Sequence, residues 1–488
     1  MTRIASGSCL LLSFPNDPMH FLSFISVEKS RNRDDSGFFS FLCSRILLLF
    51  VMNRINKHIF ALASAFLLIS GFTAGAQELK TAFLLDDFLF SYRINPALQM
   101  KNTDNFVGLF MDNVTLSANT NVGLSSYLFP FEGELLTGLN SKIPAETFLK
   151  GLPSVINATG GLNYNIFAAG KKSKDGRSVI TAEVNMRNTL ALSMPKSLFE
   201  YLKSGDDDNT YYFRDAFLRS KNYFEICGAY SRNFDKLTVG ASLKVLFGFA
   251  EADAKIEEMS IVSEKGAVTI TGIGDLTIAA PTITLITKNG HYNYKINKNM
   301  IKFSGYGAAL DLGVSYQLTD DLLLSASVID LGGIQWINSQ YGIMNGSRTS
   351  SGTEVIKSMK EVCQYKEAPL EDEKTFHMVD GSINLGARMS FPSVPGLLAG
   401  ATASYRFGDT RIADFRIGAS YKTNNIASFA TSAGLTSFGP VLGAMANFNF
   451  KGMAFYMGMD GLIFEITPQF LPVRKVNTSF KLGLAIRR

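Results

Sequence analysis

Alternation of apolar and polar residues is the commonest pattern along the chain after residue 77. It is clearest at residues 237–249, where Leu, Val, Ala and Phe alternate with Thr, Gly, Ser and Lys. Successive side chains of a β-strand point to opposite faces, so this pattern predicts a strand with one apolar and one polar face. Later segments repeat it at residues 310–318, 383–391, 415–422 and 480–487.

These segments run for about ten residues, which is long enough to cross a bilayer at a tilt of about 45°. Strands of soluble sandwiches are shorter, at about five or six residues. We count about fourteen such segments. A sheet in lipid must close to leave no unpaired edge, so the predicted fold class is all-β, a closed antiparallel transmembrane β-barrel of about 14 strands.

One stretch tests the alternative of a helical membrane protein. Residues 423–450 contain no charged residue, but they carry several Asn, Ser and Gly residues and a Phe-Gly-Pro break at residues 438–440. Two strands joined by a tight turn fit this sequence better than a membrane-spanning helix does.

Helical patterns are few and short. Residues 195–205 begin with proline, end with glycine and carry an apolar stripe, and residues 353–363 carry a similar stripe. Both predict short loop helices. Longer insertions interrupt the strand pattern near residues 251–299 and 337–376, and the first is either a pair of hairpins or a small subdomain outside the membrane.

Composition agrees with a lipid-facing wall. Charged residues make up 18% of the chain, which also contains 42 Gly and 12% aromatic residues, whereas typical soluble domains carry about 25% charged residues. The net charge is only +5 and no basic stripe stands out, so nucleic acid is not an expected partner. After residue 77 the cysteines are Cys227 and Cys363, which form either one disulfide or two inert thiols.

An export signal is predicted at residues 52–76. Arg54 and Lys57 form a basic start, an apolar run follows, and Ala74-Gly75-Ala76 resembles a cleavage site. The apolar run is shorter than the ~20 residues that a spanning helix needs. The mature barrel is therefore expected at residues 77–488, and residues 1–51 are interpreted as an upstream extension from a mis-chosen start.

Charged residues at the polar positions of these strands would point into the lumen if the apolar faces meet lipid. The candidates are Lys244, Asp311, Arg388, Arg416, Lys422 and Lys481. Their mostly positive sign suits an anionic solute. Alternatively, they pair with acidic residues such as Asp311 or Asp460 and only fill the interior, and both readings stay open.

Trp336, the single tryptophan, follows the end of a predicted strand. Such a position predicts an interfacial anchor whose indole N–H lies among lipid headgroups, with stacking against a ligand as the alternative.

No catalytic site, cofactor or metal is expected. His291 and His377 are the histidines after residue 77, and no nucleophile elbow, zinc-protease helix or phosphate-binding loop is present. Asp206, Asp207 and Asp208 lack the spacing of a calcium loop and are interpreted as a solvated loop tip.

Several landmarks resemble one family. Residues 91–99 (SYRINPALQ), residues 310–318 with 326–336, and the final stretches GPVLGAMANFNFKGMAFYMGMDGLI and VRKVNTSFKLGLAI resemble an uncharacterised, Bacteroidota-type family of outer-membrane barrels. In shape that family is similar to fatty-acid-transporter-like barrels, including the accessory barrel of type IX secretion, which also carry Asn-Pro-Ala near the mature N-terminus. The resemblance implies fold and location, and no activity.

Asn95, Pro96 and Ala97 match that Asn-Pro-Ala. They are either part of an N-terminal segment that plugs or lines the barrel, or simply a turn that leads into the first strand.

The leading functional hypothesis is a non-enzymatic barrel of the bacterial outer membrane, acting as a pore or transporter-like channel for small or apolar solutes. The alternative is an accessory or structural barrel that docks or shuttles secreted proteins. The expected partners are membrane lipid and either a solute or a secreted protein.

Overall fold

The computed structural model describes residues 78–487, apart from residues 101–104, 111–112, 206–207, 265, 281–282, 289–290, 297–301, 352–357, 359–360, 364–365, 369–373, 410, 424–425 and 463–474. The predicted signal and upstream extension lie outside the described residues. So do most of the helix predicted at residues 353–363, two of the three clustered aspartates, and the side chain of His291.

The described chain is mostly strand. In chain order, the strands are β1 (Asn105–Leu109), β2 (Val114–Thr120), β3 (Leu128–Phe131), β4 (Glu134–Thr137), β5 (Val155–Lys172), β6 (Ser178–Pro195), β7 (Thr210–Phe234), β8 (Leu237–Glu264), β9 (Ala267–Ala279), β10 (Ile283–Lys288), β11 (His291–Ile296), β12 (Gly305–Gln317), β13 (Leu322–Ile337), β14 (Gln340–Ser351), β15 (Lys366–Ala368), β16 (Lys374–Met378), β17 (Gly381–Ser390), β18 (Leu397–Phe407), β19 (Ile412–Lys422), β20 (Ala427–Thr436), β21 (Gly439–Phe450), β22 (Met453–Asp460) and β23 (Asn477–Arg487).

Helices are short. The α-helices are α1 (Ala145–Lys150) and α2 (Ser197–Ser204), and α2 matches the helix predicted at residues 195–205. Short 3-10 helices span Lys80–Leu84, Ser91–Arg93 and Leu124–Ser126. Among the described residues, none of the helices has the length and apolar character that crossing a membrane requires.

The strands form a closed antiparallel barrel. Each strand of the ring pairs with its sequence neighbours in the ring, and β1 and β2 close it by pairing with β5 on one side and β23 on the other. With β1/β2 and β16/β17 each counted as one interrupted strand, the described ring has fourteen strands. The predicted fold class and strand number are confirmed.

Alternation along the strands separates the two faces of the wall. In β8, Leu243 and Val245 are 61% and 45% exposed, whereas Ser242 and Lys244, which alternate with them, are buried. Outward positions around the ring are similarly apolar, and the inward positions carry Ser, Asn, Lys, Arg and Asp. The polar face of the predicted pattern therefore lines the lumen.

The two ends of the barrel differ. The turn end carries the short connections at residues 173–177, 235–236, 318–321, 391–396, 423–426 and 451–452, and β23 also finishes there. The opposite end, called here the loop end, carries the long connections. One of these contains β3, β4 and α1, which pack with α2 around Phe148 and Phe199.

A rim sheet extends the wall at the loop end. β7 and β8 run for 25 and 28 residues. Residues 237–248 of β8 pair with β12, and residues 251–264, at the loop end, pair with β9 instead. β9 pairs in turn with β14, and β14 with β15. The region of the first predicted insertion is thus β-rich and continuous with the wall, and it also contains the separate β10–β11 hairpin.

The expectation that Trp336 is an interfacial anchor is wrong. Its side chain is fully buried inside the loop-end half of the barrel, against Gly248 and Gly305. The reason is a β-bulge in β13, where the pairing register shifts after Val328 and Asp330 takes a φ of 61°. The bulge exchanges the two faces of the strand: Leu324 faces out before it and Leu331 after it. Trp336, an even position, therefore turns inward.

Candidate functional site

Residues 78–100 fold inside the barrel and are called here the plug. Nearly all of them are buried, although none belongs to a strand. Their sequence has apolar side chains without regular alternation, and two short 3-10 helices fold it compactly. Phe88 and Phe90 pack against Tyr456 of the wall at ring-centre distances of 5.0 and 5.5 Å. The lumen is therefore filled by the chain's own N-terminal segment.

Asp87 ties the plug to the wall. Its carboxylate accepts hydrogen bonds from Ser428 Oγ at 2.8 Å and from the side-chain amides of Asn447 and Asn449, each at 3.2 Å. Lys422 Nζ lies 3.6 Å away. The side chain of Asp87 is only 1% exposed, so wall side chains replace the water that a carboxylate requires.

Further inward-facing cations hold other parts of the plug. Arg388 donates hydrogen bonds to the carbonyl oxygens of Phe83 and Leu85, at 2.8 and 3.2 Å. Lys481, which is fully buried, pairs with Glu78. These basic residues, which the alternation predicted to face the lumen, contact the plug directly.

Arg416 reaches the plug indirectly. It pairs with Asp414 and Asp460 at 2.7 and 3.0 Å. Asp460 in turn accepts a hydrogen bond from the backbone N–H of Lys80 at 2.6 Å. An acidic wall residue thus connects this guanidinium to the start of the plug.

Asn95, Pro96 and Ala97 form a turn that is docked on the wall. The Asn95 amide donates to the carbonyl oxygens of Val314 and Ala326 at 3.1 and 3.0 Å and to a serine hydroxyl at 2.7 Å. Its Oδ1 accepts from the Ala97 N–H at 2.8 Å. These residues are therefore both a turn and a contact between the plug and the wall, and their part in transport stays a prediction.

A cavity of about 80 Å³ lies beside the plug toward the loop end. Lys244 pairs with Asp311 at 2.8 Å and with Asp330 at 2.5 Å, and Arg187 bridges Asp330 and Glu225 at 2.7 and 3.1 Å. The five basic side chains that line the cavity are matched by six acidic ones: Lys80, Arg93, Arg187, Lys244 and Arg406 against Glu78, Glu183, Glu225, Asp311, Asp330 and Asp380. The lining thus carries paired charge rather than a uniformly positive field.

Sequence reasoning selected only Lys244 and Asp311 from this cluster and missed the rest. Glu183 and Arg187 stand at alternate positions of β6, and Glu225 and Cys227 at alternate positions of β7. The same rule that selected Lys244 would have selected them. Among the residues that the structure describes, no group of three or more His, Cys, Asp or Glu side chains is arranged to hold a metal ion.

The two cysteines after residue 77 are both free thiols. Cys227 lines the cavity, whereas Cys363 packs against the apolar core of the rim sheet. Burial raises the pKa of the Cys363 thiol to about 11. At neutral pH this thiol is therefore protonated and a poor nucleophile.

Comparisons with known proteins concern the barrel as a whole. Residues 96–460 match the model of a family of unknown function, DUF5723. The toluene transporter TbuX of Ralstonia pickettii shares 13% identity at a TM-score of 0.41, over 82% of this chain and 94% of that one. TodX, the Pseudomonas putida toluene transporter, shares 10% identity at a TM-score of 0.37, over 86% of this chain and 95% of that one. A Pseudomonas aeruginosa FadL homologue shares 10% identity at a TM-score of 0.38, over 86% of this chain and 96% of that one. No curated protein matches the chain.

Proposed function

The chain belongs to the DUF5723 family of unknown function, and from that premise we propose that it is an outer-membrane barrel that admits small polar solutes past its N-terminal plug. The observation that carries the proposal is the plug itself. It fills the lumen and is held there by side-chain contacts, without joining the sheet.

The wall supports a membrane location. Outward positions carry large exposed apolar side chains around the ring, for example Ile180, Leu243, Leu385 and Ile417. Each of these would be costly in water and favourable in lipid. The closed hydrogen-bonding ring leaves no strand edge unpaired, which is the condition for β structure in a bilayer.

The attachment of the plug suits a movable element. The plug is held by buried apolar side chains, hydrogen bonds and ion pairs, and a typical hydrogen bond contributes about 1 kcal/mol net, so the loss of one anchor should weaken the attachment by an amount of that order. Detachment would leave every ladder hydrogen bond of the wall intact, because the plug adds no strand to the sheet. The route would then run through the space that residues 78–100 vacate.

The lining favours a polar solute over an apolar one. The cavity presents Arg187, Lys244, Glu225 and Asp330 as close ion pairs. An apolar molecule would displace the water around these charges and offer no hydrogen-bonding groups in its place, which is unfavourable. A small polar or zwitterionic molecule offers both donors and acceptors to the same groups.

Solute flux through a weakened plug tests the proposal. Asp87→Ala removes the carboxylate that Ser428, Asn447 and Asn449 bind, and the plug should detach more often. In proteoliposome swelling with a neutral sugar or an amino acid, we expect this variant to raise the rate about tenfold, as loss of about 1.4 kcal/mol of attachment would. Asp235→Asn, at an exposed turn where Asn tolerates a positive φ of 60°, is the matched control and should leave the rate unchanged.

Docking of secreted proteins is the second candidate, and the folded rim favours it. The rim sheet and the α1–α2 region each have an apolar core of their own at the loop end. If neither the native barrel nor Asp87→Ala passes any solute faster than protein-free vesicles, the transport proposal is wrong and docking becomes the better account.

A further inference from the structure

A network of charged side chains closes the lumen at the loop end and is called here the mouth network. It consists of Arg219, Lys221, Glu251, Asp253, His377 and Asp409. Lys221 Nζ lies 2.7 Å from Asp409, and Arg219 Nε lies 3.0 Å from Asp253. His377 Nδ1 lies 2.5 Å from Glu251, and its Nε2 lies 4.0 Å from Asp253.

These contacts cross the lumen. Following the wall from β8 to β16 takes three strand-to-strand steps, which is about 14 Å at ~4.8 Å per step. From β7 to the connection after β18, where Asp409 lies, takes five steps and about 24 Å. Side chains that meet at 2.5–2.7 Å must therefore reach across the interior. The lumen is thus closed by the plug below and by the mouth network above.

A β-bulge aims the carboxylates into the mouth. In the β7–β8 pairing the register shifts between Asn222 and Tyr223, so that Phe249 of β8 is an extra residue. Lys244 and Leu246 face the interior before the bulge, and Glu251 and Asp253 face it afterwards. A residue count without the bulge would send these two carboxylates to the outer face.

The protonation state of His377 sets the net charge of the mouth network. With a neutral imidazole, two cations, Arg219 and Lys221, face the three carboxylates Glu251, Asp253 and Asp409. Nearby, Asp380 is neutralised by Arg406 at 2.7 Å. A proton on His377 makes the network neutral.

The Glu251 carboxylate depends on that histidine. Its side chain is 1% exposed, and Oε2 has no hydrogen-bond partner among the described residues. His377 is 29% exposed and can exchange its proton with water. Histidine changes charge between about pH 5 and pH 8.

We propose that His377 makes the mouth network a pH-dependent closure of the lumen. The protonated imidazolium bridges Glu251 and Asp253 and ties β16 to β8 across the mouth. The neutral ring leaves an excess of carboxylate charge that drives the two sides apart. The regulatory role rests on the proposed function, because a closure regulates only a route that solutes take.

Labelling of a cysteine inside the cavity tests the closure. Ser242, which is buried and lines the cavity, is changed to Cys in a chain carrying Cys227→Ser and Cys363→Ser. The reconstituted barrel is treated with neutral methyl methanethiosulfonate, with His377 present or changed by His377→Gln. Dividing the two rates at each pH cancels the ionisation of the thiol, because it multiplies both rates by the same factor. Access past the plug adds the same amount to both rates and only brings their ratio closer to one.

We expect similar rates in the two chains at about pH 8, and labelling about tenfold slower with His377 than with Gln at about pH 5. His291→Gln is the matched control and should keep the full response. Asp253→Asn keeps His377 but removes the second anchor, and it should reduce the response. An unchanged ratio between the two pH values, or a full response in Asp253→Asn, would overturn the closure.

This readout is independent of transport. A pH-dependent ratio combined with no solute flux in Asp87→Ala supports the closure and overturns the proposed function. Solute flux in Asp87→Ala combined with a labelling ratio that does not change with pH supports the proposed function and overturns the closure.

Discussion

At the scale of single residues, the buried Trp336 makes a large contribution to stability. Its ring packs with Tyr223, Leu246 and Ile334 inside the upper barrel. We expect Trp336→Ala to lower the free energy of unfolding by about 3–5 kcal/mol, because removal of a buried aromatic ring leaves a cavity. Denaturant unfolding in detergent micelles measures the change.

Phe376 provides the control for this prediction. It is opposite Gln335 on the neighbouring strand, and its side chain is 62% exposed on the outer face. Phe376→Ala should cost clearly less than Trp336→Ala. Equal costs would mean that the indole contributes as an outer-surface group, as the sequence alone suggested.

At the residue level, the sequence indicates which way a side chain faces, and the acidic residues Asp311 and Asp460 considered as partners do contact Lys244 and Arg416. The contacts with the plug could not be read from the sequence. Alternation identified Lys244, Arg388 and Lys481 as inward residues, because facing depends only on the local two-residue period. Their partners depend on how distant segments meet. Arg388, for example, binds the carbonyl of Phe83, 305 positions away.

At the scale of elements, two inward-facing glycines make room for the plug. A Cβ at Gly313 would overlap Asn95 Oδ1, and a Cβ at Gly240 would overlap the Pro96 carbonyl. We expect Gly313→Ala to displace the Asn95–Ala97 turn and to speed amide hydrogen exchange there about tenfold, as local opening becomes easier. Exchange monitored by mass spectrometry on plug peptides tests this.

Gly228 is the matched control for that substitution. It is also a strand glycine, but it faces outward, and a Cβ there would meet nothing within 4 Å. Gly228→Ala should leave the exchange of the plug unchanged. If Gly313→Ala also has no effect, the close contact between the turn and the wall is not what holds the turn.

The bulges explain why element-level prediction stopped where it did. The alternation read from residue 237 ends at Phe249, which is the extra residue of β8, and the second change of face falls at Asp330. A bulge adds one residue without changing composition, so periodicity alone cannot count across it. The visible signal is weak: an aspartate, which tolerates a positive φ, before the pair Gly332-Gly333.

At the scale of the whole molecule, the unequal ends predict an orientation. Outer-membrane barrels of bacteria have short periplasmic turns and longer extracellular loops. Gly133, in the β3–β4 hairpin, and Gly452, between β21 and β22, both sit in tight turns with a φ of 85° but at opposite ends of the barrel. We expect an epitope inserted at Gly133 to bind antibody on intact cells.

The same epitope inserted at Gly452 should bind only after the outer membrane is permeabilised. This pair is matched in turn type, so a difference reports the side of the membrane. Binding at both sites on intact cells, or at neither after permeabilisation, would contradict the assigned orientation.

The overall fold was accessible from sequence because it repeats. Each strand signal is weak, but fourteen of them share the same two-residue period and the same polar inner face, and their sum defines a closed wall. The plug was harder. Residues 79–90 contain apolar and acidic residues without a strand or helix period, so only the resemblance around Asn95 pointed to it.

The closure of the ring by β1, β2 and β23 also fixes the order in which the chain can fold. The plug binds the wall through pairs such as Glu78–Lys481 and Asp87–Asn449, separated by 403 and 362 positions. Contacts of such high order form late, because the entropy of closing the intervening loop must be lost first. The site that holds Glu78 does not exist until β23, which carries Lys481, has folded. The attachment of residues 78–100 is therefore completed only after the last strand of the ring has formed.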